Sequence, residues 1–144
     1  MEQDAITFGL AAVGYILLAK DTALRLAGRR WTVLGILTAL VVLAHVTLVW
    51  TFRFEWSFLD AWQKSPVAFL IFHSALLLIL IAPLTAPRTR DRLTWLTFAI
   101  VSAGALPAPF RYPELQLLAL PLLAAFTAVV AVFLLTRSRG SAAA

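Results

Sequence analysis

The chain is 144 residues long, 62% hydrophobic and 13% charged, with mean hydropathy +0.91 and a formal net charge of +5. Such a composition lies far from the half-apolar, quarter-charged profile of a soluble domain. It contains no cysteine and only one methionine, Met1, which excludes disulfides, thiolate nucleophiles, iron–sulfur clusters, Cys-based zinc sites and thioether ligation within the membrane.

The apolar residues fall into five blocks of about the length that crosses a bilayer, which takes about 20 residues per helix. The predicted fold is an all-α integral membrane protein, a bundle of five transmembrane helices forming one domain over residues 1–139. The first span runs over residues 5–26; Lys20 snorkels and Asp21 pairs with Arg25 one turn on. Its flank Met-Glu-Gln-Asp lacks the basic n-region of a cleavable signal peptide, so the segment reads as a retained helix. The second span covers 31–52 and the third 66–86. Between them, Phe54, Phe58, Leu59 and Trp62 recur at helical spacing among Glu55, Asp60 and Lys64, the pattern of a short amphipathic helix in the interface. The fourth span, 93–108, is short and ends at Pro107 and Pro109; the fifth, 114–136, carries Pro121, a predicted kink. Residues 140–144, Gly-Ser-Ala-Ala-Ala, read as a flexible tail.

Orientation follows from the basic residues. Five spans place Lys20, Arg25, Arg29, Arg30, Arg88, Arg90, Arg92, Arg137 and Arg139 on one side and only Arg53, Lys64 and Arg111 on the other. Positive charge marks the cytoplasmic side, so the N-terminus is expected outside and the C-terminus in the cytoplasm of a bacterial-type inner membrane. Trp31 and Trp95 then mark the inner boundary, and Trp50, Trp56 and Trp62 the outer one. The arginines act as topology determinants and anionic-lipid contacts, with no nucleic-acid partner.

The only two histidines are the sharpest chemical signal. His45 lies seven residues before Phe52 and His73 seven residues after Pro66. At 1.5 Å per residue both rings sit about 10 Å below the outer surface, on two different helices. An ionisable group at that depth is a functional candidate by default. Two neutral imidazoles at one depth are what a six-coordinate b-type haem requires, with the porphyrin holding the helices apart. Arg53 and Arg111 are the candidate propionate partners. The competing reading is a hydrogen bond across a helix interface, with Thr47 or Ser74 as partner. A quinone hydrogen-bonded to one histidine near Tyr112 or Arg111 is a third.

No soluble catalytic loop, midplane carboxylate, serine–histidine–acid set or phosphate-binding loop is visible, so an independent enzyme is not expected. Ala124, Ala128 and Ala131 form a small-residue stripe suited to helix packing. The general plan resembles small cytochrome b-type membrane anchors of respiratory complexes, on His45 and His73 alone. That resemblance implies a haem b electron-transfer subunit of a respiratory or photosynthetic quinol-linked complex, with His45 and His73 as axial ligands. The alternative is a cofactor-free accessory subunit packed on other membrane subunits and contributing to a quinone site.

Overall fold

The computed structural model of the chain describes residues 2–111 and 113–141; the side chains of 2–4, 111, 114 and 139–141 lie outside the description. Regular structure among the described residues is entirely helical: α1 Glu2–Leu26, α2 Thr32–Arg53, α3 Phe58–Lys64, α4 Pro66–Ile81, α5 Pro87–Ala105, α6 Ala108–Arg111 and α7 Ala119–Ser141, with 3₁₀ turns at Ala82–Leu84 and Pro113–Leu118. Five stretches are long and apolar enough to cross a membrane: Ala5–Leu26, Thr32–Arg53, Pro66–Leu84, Pro87–Phe110 and Leu115–Ser138.

The turns between helices follow from local chemistry. After Leu26, Gly28 takes φ +77°, and the Gly28 and Arg29 amides donate to the carbonyls of Arg25 and Leu24. This is the paired bonding that closes a helix through a left-handed residue, where glycine is least strained. Ser57 caps α3 by accepting from the Asp60 amide, and Ser65 caps α4 by accepting from Ala68, with Pro66 in its first turn. The amphipathic helix expected between the second and third spans is thus present as α3. It excludes Phe54, because Glu55 and Trp56 adopt positive φ of 46° and 61° and break the chain between α2 and α3.

Two expectations are corrected. The fourth span is not short: its helix begins at Pro87, six residues before the expected start at residue 93. Proline at the first helical position has no amide to satisfy, and Arg90, expected in a connecting loop, lies within the helix. Pro121 is the third residue of α7 and therefore sits in its first turn, where backbone amides have no intrahelical partner. It starts a helix where a kink was expected.

Helix α1 is the axis of the packing, in contact with α2, α5 and α7, while α4 lies against α2 and α5. Ala12, Tyr15, Leu18 and Ala19 of α1 meet Phe98 of α5 and Leu122 and Val129 of α7 in one buried cluster. At Gly14 a Cβ would come within 3.0 Å of Val42 Cγ2, so the absence of a side chain there sets the approach of α1 to α2. Elsewhere large apolar side chains face outward, among them Val33, Leu40, Val67 and Leu134. For a chain that crosses a bilayer these are the lipid-facing surfaces.

At the arginine-rich end the contacts between helices are ionic. Arg25 Nε donates to Asp21 Oδ1 at 3.0 Å, with both side chains only 4% exposed. Arg25 Nη1 donates to Asp91 Oδ1 at 3.0 Å, and Arg30 Nη2 reaches Asp91 Oδ2 at 3.0 Å. Arg90 clasps the neighbouring chain ends: Nη1 donates to Thr32 Oγ1 at 3.0 Å, and Nη2 to the carbonyls of Pro83 at 2.7 Å and Thr85 at 2.9 Å. A cation there complements the negative end of α4 and takes up carbonyls the helix leaves unpaired. Removing one partner of a buried ion pair strands the other charge, at about 3–5 kcal/mol. Arg25→Ala is accordingly expected to lower the thermal midpoint in detergent sharply, and Asp21→Asn in the same chain to restore part of it.

Candidate functional site

The site is built around His45 on α2. Its Nδ1 lies 2.9 Å from the carbonyl oxygen of Thr7 on α1. A carbonyl can only accept, so Nδ1 carries the proton, and in the neutral ring Nε2 is left as an acceptor. His73 on α4 is arranged the same way within its own helix, with Nδ1 donating to the Phe69 carbonyl at 2.8 Å. Neither ring is paired with Thr47, whose hydroxyl donates instead to the Leu43 carbonyl.

The surroundings of the two rings differ. His45 lines a cavity of about 190 Å³, against the roughly 10–15 Å³ that holds one water. The wall is almost wholly apolar, with Val42, Phe72, Leu76, Val101 and Leu122 among its residues. Tyr15 also lines it and shares a 2.9 Å hydrogen bond with Ser102 Oγ on α5. The Tyr15 ring stacks on Phe98 at 5.8 Å, which holds the phenol in the interior. His73 is not part of this wall. It sits in an aromatic cluster, stacked on Phe69 at 3.9 Å and edge-on to Trp50 at 5.8 Å and Phe72 at 5.3 Å.

The structure therefore brings α2 and α4 into contact through Trp50 and His73 and does not place the two histidines in one cavity. The separation of the second and third spans expected for a porphyrin between them is not present. Arg53 lies over the Phe8 ring at 5.0 Å, and Phe8 is itself a wall residue of the His45 cavity. The side chain of Arg111 and the whole of Tyr112 lie outside the described residues. Of the alanine stripe, Ala124, Ala128 and Ala131 are exposed, so this face of α7 points away from the bundle.

Sequence reasoning did not single out the Tyr15–Ser102 pair. A tyrosine in an apolar run is a signal in itself, since a buried phenol needs a partner, but the partner lies 87 residues away. Comparisons with protein-family models, with curated proteins and with solved structures found no match to this chain. Tyr15→Phe and Ser102→Ala are each expected to lower stability by about 0.5–1.5 kcal/mol. Combined, they should lower it by less than the sum, as thermal unfolding of the four-member mutant cycle will report.

Proposed function

We propose that this chain is a multi-pass subunit of a membrane electron-transfer complex and that its His45 cavity takes the headgroup of a lipid-soluble quinol. One observation carries the reading: a single imidazole, with its Nδ1 proton fixed on a backbone carbonyl, in the wall of a mostly apolar cavity between helices. Ligand pockets are mostly apolar with few placed polar groups. An Nε2 acceptor suits a hydroxyl that donates, as a quinol does and a quinone does not. Bound from the bilayer, the ligand would meet His45 and the Tyr15 edge of the wall, while the partner subunits supply electron carriers. The distribution of arginines supports an N-terminus outside and a C-terminus in the cytoplasm of a bacterial-type inner membrane, with the cavity nearer the outer surface.

The b-type haem reading is retained as a second one because of a separate observation. Both histidines direct Nδ1–H to a carbonyl, the arrangement that fixes ring orientation and leaves Nε2 for iron in metal-ligating histidines. Arg53 remains its described candidate propionate partner and Arg111 the other. A haem between His45 and His73 would require α2 and α4 to part where Trp50 now meets His73.

Titration of the purified protein in lipid nanodiscs with a short-tailed naphthoquinol, followed by tryptophan fluorescence, separates the readings. The quinol reading expects saturable quenching that weakens at least tenfold in His45→Ala and is little changed in His73→Ala. Equal weakening by both substitutions, or no saturable quenching, would overturn it. A reduced-minus-oxidised spectrum with a sharp α band lost in either variant would establish the haem reading instead.

A further inference from the structure

Between the His45 cavity and the arginine-rich end lies a second, much smaller cavity of about 20 Å³, space for one water. In contrast to the first, its wall carries several polar side chains, Asp21, Arg25, Thr38, Arg90, Thr94 and Thr97, beside the apolar Leu18, Ile79 and Pro83. Although Arg90 Nη1 and Nη2 are held by Thr32, Pro83 and Thr85, its Nε is buried and has no hydrogen-bond partner among the described residues. Buried donors in folded proteins are nearly always satisfied, and leaving a charged one unmet is unfavourable.

We propose that this cavity is an ordered-water site, in which one water accepts from Arg90 Nε and donates to the Asp21 carboxylate. The wall selects a neutral ligand that both donates and accepts. Arg25 and Arg90 oppose a cation, and Asp21 opposes an anion. The Thr38 and Thr97 hydroxyls donate to the Leu34 and Leu93 carbonyls of their own helices, so each can only accept from whatever occupies the cavity. Those residues belong to α1, α2 and α5, so a water there adds a shared bridge to the direct links that Arg25 makes to Asp91 and Arg90 makes to Thr32. The inference is independent of what the His45 cavity binds.

Gly35 lines the same cavity and supplies the test. A Cβ at that position would meet Asp21 Oδ2 at 3.5 Å, Pro83 Cγ at 3.8 Å and Arg25 Nη2 at 3.9 Å, which is ordinary contact. Gly35→Ala therefore fits sterically, leaves every charge in place and takes up the room of the water. The measurement is magnetisation transfer from water to the arginine Nε–H groups in ¹⁵N-arginine-labelled protein in nanodiscs, with the Arg90 signal assigned by Arg90→Lys. The wild type is expected to show a water cross-peak at Arg90 Nε–H. Gly35→Ala should lose it. Thr94→Val, which removes one polar wall group without adding volume, should weaken the same cross-peak and decides the matter if Gly35→Ala does not fold. A wild-type Arg90 Nε–H without a water cross-peak, or a cross-peak unchanged in the variants, would overturn the proposal.

Discussion

The ionic contact of Arg25 with Asp21 and Asp91 is the constraint on which the arrangement of this bundle rests. Between helices whose outer surfaces are apolar all round, dispersion packing distinguishes poorly among alternative rotations and neighbours. A guanidinium with 4% of its side chain exposed and a carboxylate on each of two helices is far more selective, because any other pairing leaves a charge buried alone. Once Arg25 is fixed, α1 and α5 are fixed in rotation and depth. Arg90, one residue before Asp91, then reaches the end of α4 and the start of α2, so four helices are registered from one cluster. The rest of α1 lies in the interior as a result, and its Tyr15 and Leu18 are carried to the walls of the cavity above.

The two histidines show how depth and direction separate. They lie on adjacent helices, and each gives Nδ1–H to a carbonyl. Their partners set them apart: His45 reaches across to Thr7 and so stitches α1 to α2, while His73 bonds back to Phe69 within its own turn. One ring therefore holds two helices together beside a cavity, and the other is packed among Trp50, Phe69 and Phe72. The cavity wall gathers from α1, α2, α4, α5 and α7, which makes its shape a property of the whole bundle and not of any one element.

Five long apolar helices were legible in the sequence because bilayer-length hydropathy needs no knowledge of neighbours. The start of α5 was not, since Arg88, Arg90 and Arg92 resemble a connecting loop unless it is known that Arg90 has carbonyls to satisfy. Pro121 reads as a kink because proline removes a backbone donor, and nothing in the hydropathy marks that a 3₁₀ segment gives way to an α-helix two residues before it. At the candidate site, counting along the sequence assigns His45 and His73 to two different apolar spans, and the structure has them on α2 and α4. Their faces are not assigned in this way, because α2 and α4 are apolar on every side and carry no amphipathic phase from which to read which side chain turns inward.

The distance along the chain between Arg25 and Asp91, 66 residues, has a consequence for biogenesis. During synthesis α1 is complete long before α5 exists, and in that interval Asp21 is the only carboxylate of the cluster available to Arg25. In a chain that inserts into a bilayer, their i, i+4 pairing would neutralise those two charges within one turn, without waiting for a partner on another helix. The arrival of Asp91 then gives the guanidinium its second carboxylate and ends the rotational freedom of α1. For a bundle assembled in a bilayer, the same arginine would thus serve first to neutralise α1 by itself and then to tie it to α5.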